Sequence, residues 1–392
     1  MDPTTQKQPE EQERHSLGVL QLLQSASKEL QNYTLFLTKD PQAPIRALLN
    51  LGNEISAPLD TDPSLFKLSH LLCNLQTALN ELEATRGYGL RSIIRRQAIY
   101  YKISQLAGQI EREAQAYLDK DNIFRLVRTL DRSRDEGEQV KVLTELEERL
   151  SRGFDRDYQE LILKAKVFQF LESILCDRSC PRTIREHAAQ VMVALIRFNR
   201  NVFVGLVLMG PTLEALISMG SCRSMEVLTS LVALVRSPLI DEIESLGEVP
   251  RIMNLLRSRD PATRAAAFDC LCEIAYHGRK EVIEAMLEQG LIETLLELQR
   301  QEQIDHDHDR ERDDRGRGSE DRNEEEDKEE EKRGGFHGGV AKFAVQVEVG
   351  EGLTNQERRE FKMEILRRVK QACVSEAEAA SVSAEVLWGS SP

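Results

Sequence analysis

Three stretches of this chain repeat one pattern, and that repetition limits the fold more than any other feature. The segments LVLMGPTLEALISMG from Leu206, IESLGEVPRIMNLL from Ile243 and AMLEQGLIETLLEL from Ala285 each join a short apolar helix to a Leu/Ile-rich one through a glycine. The glycines are Gly210, Gly247 and Gly290, spaced 37 and 43 residues apart. LILKAKVFQFLESIL from Leu161 has the same shape, with Ala165 at the glycine position, 45 residues before Gly210. Glycine suits a sharp turn between two helices, because such turns use backbone conformations that a Cβ disfavours and bring the two axes close. Longer amphipathic helices are predicted between these units, over 182–198, 222–236 and 261–277. Asp260-Pro261 supplies a cap and a first-turn proline for the last of them. A period of this length marks a stacked-repeat chain: one unit cannot cover its own apolar faces, whereas neighbours in a row can, leaving a groove along one side.

The run RDPATRAAAFDCLCEIAYHGRKEVIEAMLEQGLIETLLELQ, Arg259 to Gln299, resembles the armadillo family. It is similar to the third helix of one repeat followed by the first two of the next, with Ala267, Leu271, Ile274 and Ala275 where that family packs its third helix. With weaker units from about Asn122, the resemblance covers roughly 120–300. It implies an all-α solenoid that binds protein segments in its groove. Similar helical proteins occur among plant armadillo proteins, several carrying a ubiquitin-ligase U-box. No U-box segment is recognisable here, which leaves a ubiquitin-pathway adaptor or a ligase relative without its U-box as the alternative function.

The flanks complete the layout. Residues 1–12 are polar and read as disordered. Over 13–118 four helices are predicted, near 13–30, 43–56, 63–84 and 90–118, as an N-terminal bundle. The repeats follow over 119–300. Residues 301–338 carry almost nothing apolar; Asp305 to Arg333 alone holds 15 acidic and 8 basic residues, half of the chain's formal charge of -14. Burial cannot offset ordering entropy there, so this stretch reads as a disordered acidic insertion. A helical cap is expected over 339–392. VAKFAVQVEVG, from Val340, alternates as a strand would at Phe343, Val345, Val347 and Val349, but Val340, Phe343, Ala344 and Val347 also make a helix face. An isolated strand in an all-helical chain leaves its edge unpaired, which favours helix. That helix then serves as the third helix of the last repeat, with the acidic stretch as a long loop insertion. Thr354 and Glu357 form a capping-box pattern, and Phe361, Ile365, Leu366, Val369 and Cys373 an apolar face.

Motifs of catalysis are missing: there is no G-x-S-x-G, no glycine-rich phosphate loop and no H-E-x-x-H. His187 and His277 fall in third helices and read as packing or surface histidines. His306, Asp307, His308 and Asp309 are poorly spaced for a closed zinc site. Cys176 and Cys180, or Cys270 and Cys272, lack a second pair at zinc spacing and read as small buried hydrophobes. The expectation is a non-enzyme with no cofactor and no metal. Outside the insertion the chain is only mildly acidic, so nucleic acid is not an expected partner. The longest apolar run, Val202–Met209, is far short of the ~20 residues a membrane span needs. The N-terminus has no signal-peptide pattern and the seven cysteines no disulfide spacing. Together these imply a cytoplasmic protein, with the nucleus as a further location.

Two surfaces qualify as contact sites. Importin-alpha proteins present Trp and Asn from their third helices to basic signals; the matching positions here are Gln190 and Ala194, Thr229 and Ala233, and Asp269 and Glu273. The one tryptophan, Trp388, lies outside the repeats, so the indole ladder that would stack Lys stems is absent. Gln190, Thr229, Asp269 and Glu273 are the candidate groove contacts, with Asp269 and Glu273 placed to pair with basic segments of a protein partner. The fourth helix carries Arg91, Arg95, Arg96 and Lys102 beside Tyr100 and Tyr101, a face suited to an acidic partner, an anionic lipid surface or RNA, or simply to water.

Overall fold

The computed structural model describes residues 7–32, 42–55, 62–85, 89–313 and 336–388. The described residues form nineteen α-helices, short 3-10 turns and connections, with no strand. They divide into two compact units. The first comprises described residues of Met1–Arg132 together with Asp155–Ala165; the second comprises Ser133–Phe154 and described residues of Lys166–Pro392.

The first unit holds α1 (Lys7–Asn32), α2 (Ala43–Glu54), α3 (Phe66–Ala84), α4 (Leu90–Arg132) and the short α6 (Arg156–Lys164). α1 and α3 lie along α4, and α2 bridges α1 and α3. Leucines and isoleucines at helical spacing fill the centre: Leu20 and Leu23 of α1, Ile45 and Leu48 of α2, Leu68 and Leu75 of α3, Ile103 and Ile110 of α4, none more than 1% exposed. Each such side chain contributes about 1.5–3 kcal/mol when fully buried. Two differences from the sequence expectation stand out. Lys7–Gln12, expected to be disordered, belongs to α1. The fourth helix does not stop at 118 but runs 43 residues to Arg132, because Leu118, Ile123, Leu126 and Leu130 continue its buried stripe without an intervening Gly or Pro. The boundary therefore falls at the Ser133–Asp135 break, where Asp135 caps the next helix by accepting from the Gly137 and Glu138 amides at 2.8 and 3.4 Å.

The second unit is the repeat region. α5 (Glu136–Ser151) precedes α7 (Val167–Cys176) and α8 (Arg182–Phe198); then come α9 (Arg200–Met209), α10 (Thr212–Met219) and α11 (Cys222–Val235); α12 (Ser237–Ser245), α13 (Val249–Asn254) and α14 (Pro261–His277); α15 (Lys280–Glu288), α16 (Leu291–Asp313) and α17 (Gly339–Val349). α8, α11 and α14 match the predicted third helices to within a residue. They lie side by side in the order α5, α8, α11, α14, α17, and α8, α11, α14 and α17 are each backed by the second helix of their own triplet. The first and second helices turn sharply, α9 and α10 meeting at 70°.

The glycines act in two different ways. Gly247 and Gly290 have φ of +67° and +79°. At Gly247 the turn is a Schellman motif: the Glu248 amide donates to the Ile243 carbonyl at 3.0 Å and the Gly247 amide to that of Glu244 at 2.9 Å. Gly210 instead has an ordinary φ of -103°. It is small because a Cβ there would meet the Glu172 carboxylate and lie 2.9 Å from the Leu206 carbonyl oxygen. Ala165, aligned with these glycines, is helical, and the left-handed residue is its neighbour Lys166, at φ +53°.

Residues 340–349 are helical, and the helix-face set wins over the strand set. Val340, Phe343, Ala344 and Val347 are buried, whereas Val349 is 54% exposed. Phe336, 2% exposed, leads the chain back into the core with its ring 5.5 Å from that of Phe268. α16, expected to end near Arg300, continues to Asp313, so Gln301–Asp313 of the expected disordered insertion is helix. The stretch 314–335 lies outside the described residues. α18 (Asn355–Ala372) and α19 (Glu376–Trp388) finish the chain. Thr354 and Glu357 make the expected capping box, and Phe361, Ile365 and Val369 are buried against the repeats, with Leu366 and Cys373 half-buried. Arg300 fastens this end, donating to Glu378 at 2.8 Å and to the Ala372 carbonyl at 2.9 Å.

Two predictions follow from this packing. Gly247→Ala, at a site with no neighbour to clash with a methyl, should lower unfolding stability by about 1–2 kcal/mol through backbone strain alone, and Gly247→Asn by less; an unchanged urea midpoint for the alanine variant contradicts the turn geometry. Glu364 accepts from Arg367 and Arg368, and these bonds hold its carboxyl at about 2 against an ordinary 4.5. The folded-state value is depressed, so its stabilisation is present above about pH 4.5 and fades as pH falls toward 2. Glu364→Gln should therefore melt below the parent protein at neutral pH, with the gap in Tm closing across that window.

Candidate functional site

The aligned third helices present one outward face each, and the four residues predicted as contacts lie on them. Gln190 of α8 and Thr229 of α11 are half-buried, Asp269 of α14 is exposed, and Glu273 one turn further on is half-buried. Thr229 spends its hydroxyl on the Met225 carbonyl at 2.8 Å, inside its own helix. Asp269 and Glu273 stand one turn apart on α14, Thr229 is on the neighbouring α11, and Gln190 is on α8.

Both acids are engaged within the chain. Lys342 of α17 donates to Asp269 at 2.7 Å and sits 5.2 Å above the centroid of the Phe268 ring. Burial disfavours the ammonium, yet the Asp269 carboxylate outweighs it and holds the Lys342 pKa above its ordinary value. Glu273 lies 3.2 Å from one ring nitrogen of His277, and Glu351 lies 3.4 Å from the other. Glu351 also accepts from Arg236 at 3.2 Å, and its amide donates to the Tyr276 carbonyl at 2.7 Å. A continuous series of charged and polar groups therefore runs from Arg236 through Glu351 and His277 to Glu273. His277, expected to be a packing or surface histidine, is buried.

Sequence reasoning missed Lys342, Glu351 and Arg236, whose contacts link residues 73 to 115 positions apart. One local signal existed only in the backbone. Arg236 has φ +65° and ψ -141°, a region that favours glycine, between α11 and α12. The bonds of its amide to Val232 at 2.7 Å and of its side chain to Glu351 hold it there.

At the start of α11 the Cys222 thiol lies 3.5 Å from the Glu226 carboxylate. Desolvation first, then Glu226, pushes that thiol up to about 11. Cys270 and Cys272 are pushed to about 12 by burial, which fits their reading as small core residues. Among the described residues no group of three or more His, Cys, Asp or Glu is arranged to hold a metal. The side chains of His306 to Asp309 lie outside the described residues. In the first unit, a hollow of about 430 Å³ is lined by Tyr117, Phe124, Val127 and Leu161 together with Asp62, Lys120 and Asp121.

No protein-family model matches this chain, and no curated protein does. Among solved structures, a designed armadillo repeat protein is similar over 68% of this chain and 99% of its own length, at 14% identity and a TM-score of 0.41. Another, solved in complex with the peptide (KR)4, is similar over 68% and 98%, at 16% identity and a TM-score of 0.41. An engineered protein is similar over 95% of this chain and 87% of its own, at 16% identity and a TM-score of 0.43. The armadillo-like arrangement itself rests on this chain's own helices, two short ones and a longer third over Arg200–Val235 and again over Ser237–His277.

The thiols give a direct check of this packing. Ellman's reagent should consume exposed Cys73 first and Cys222 slowly, with Cys270 and Cys272 reacting only on unfolding. Mapped labelling of native Cys270 at the rate of Cys73 contradicts the burial of α14 against its neighbours.

Proposed function

We propose that this protein is a non-catalytic interaction scaffold whose third-helix face receives an extended protein segment bearing Lys or Arg side chains. The observation that carries this reading is the Lys342 contact. A lysine ammonium held between an exposed carboxylate and an aromatic ring displays, within the chain, the chemistry this face offers an incoming cation. Asp269 and Glu273 would serve as the acidic anchors. Thr229 and Gln190 would supply polar contacts along the neighbouring helices, and the exposed Glu226 extends the negative face. The stacking of rigid helices supports the reading as well, because it spaces such groups along one side without further ordering on binding.

The test is fluorescence anisotropy with a labelled extended peptide of alternating Lys and Arg, at two salt concentrations. Asp269→Lys with Glu273→Lys should weaken binding by about 10-fold or more, since it replaces two attractive charges by repulsive ones. Lys342→Ala should tighten it by freeing Asp269, at a stability loss under about 1 kcal/mol, because the Lys342–Asp269 pair is half-exposed. Equal affinity in the parent and in the Asp269/Glu273 variant sinks the proposal.

A further inference from the structure

Helix α4 is amphipathic twice over, and only one of its apolar stripes is used by the bundle. Ile99 and Ile103, at 5% and 0% exposure, face the core. Leu90, Ile94 and Tyr101 fall at spacings of four and seven on the far side of the helix, with Ile93 beside them. These four are 80%, 67%, 67% and 53% exposed, in the order Leu90, Ile94, Tyr101, Ile93. A cluster of large apolar side chains on one exposed helix face marks an interaction surface.

The charges beside the stripe indicate what it meets. Arg91 and Arg95 stand one turn apart on its flank, both exposed and without an ion-pair or hydrogen-bond partner among the described residues. Arg96, grouped with them by sequence, is different: it turns inward and donates to the Thr85 carbonyl at 3.1 Å. Lys102 is committed to Glu81 at 3.5 Å. A partner must therefore satisfy two free guanidinium groups and an aliphatic and aromatic stripe together. The acidic residues of 314–335 match only the charges, since that stretch contains no apolar side chain. The stripe runs along the outer face of one helix, where a helical peptide would find no second wall to form a groove.

We propose that this face lies on an anionic phospholipid surface, with Leu90, Ile93, Ile94 and Tyr101 at the headgroup–acyl boundary and Arg91 and Arg95 on lipid phosphates. The geometry is that of an interfacial helix, apolar on one face and basic at its edge. Among the described residues no single helix is long and apolar enough to cross a membrane, and the attachment is peripheral, weakening with salt as surface charge is screened.

The experiment is co-sedimentation of the full chain with vesicles of phosphatidylcholine alone or of phosphatidylcholine with phosphatidylserine. Binding is expected only to the serine-containing vesicles. Arg91→Glu with Arg95→Glu should reduce it by about 30-fold or more, taking the usual attraction per basic residue. Leu90→Ser with Ile94→Ser should reduce it as strongly with the charge intact, while Arg359→Glu, exposed on α18, leaves it unchanged. Circular dichroism verifies that each variant is folded. Failure of the full chain to bind either vesicle, or binding that both double variants retain, overturns the assignment. So does a solution dimer that Leu90→Ser with Ile94→Ser dissolves in the absence of vesicle binding, which gives the stripe to a second copy of the chain. None of these outcomes bears on the third-helix face, which the vesicle variants leave intact.

Discussion

Lateral packing between third helices is the constraint on which the repeat region depends. A third helix carries apolar residues on more than one flank. Ala267, Leu271 and Ile274 of α14 are completely buried, as are Leu228 and Leu231 of α11. No single triplet can cover both flanks, so each requires the third helix before it and the one after it. The requirement passes along the chain until something closes the last flank. Here α17 does so, with Phe336 and Phe343 buried at 2% and 0% exposure and α18 and α19 beyond it. Two buried phenylalanines contribute several kcal/mol, about 1.5–3 kcal/mol each.

The same packing creates the charged face. Residues far apart in sequence meet because α11, α14 and α17 pack as neighbours: Lys342 reaches Asp269, and Glu351 reaches both Arg236 and His277. The polar series therefore reports on the stacking. On the proposed function, a partner that draws Asp269 away from Lys342 would compete with a contact that helps seat the last third helix, coupling occupancy of the face to order in α17 through one carboxylate.

Much of this architecture was legible in the sequence, and the parts that were not have identifiable causes. The third helices at 182–198 and 261–277 were read to the residue because their ends carry strong local chemistry: Pro181 before the first, Asp260-Pro261 at the start of the second and Gly278 after it. The helix over 340–349 was favoured over a strand by the lack of any edge to pair with. Misplaced boundaries came from texture instead of chemistry. α4 continues past 118 because no breaker interrupts it, and α16 continues past Arg300 because Asp, Glu, Gln and Arg permit a helix even when they bury nothing. In the site, Asp269 and Glu273 stand one turn apart on α14 as their spacing of four requires. Their internal partners were invisible, since long-range ion pairs leave no periodic trace. Beside Arg91 and Arg95 the sequence offered Tyr101 as part of a contact face, whereas exposure of Leu90 and Ile94 is visible only once the opposite side of α4 is seen to be buried.

The claim on which the account stands is that Gly339–Val349 is the terminal third helix of the stack and not an appendage to it. Native-state hydrogen exchange of the full chain, resolved by peptide, measures this directly. The amides of α17 should exchange on the slow timescale of those in α14, and should accelerate together with α14 when Phe336 is replaced by Ala. Exchange of α17 within seconds, while α14 stays protected and indifferent to that substitution, would contradict the stacked arrangement and the binding face built on it.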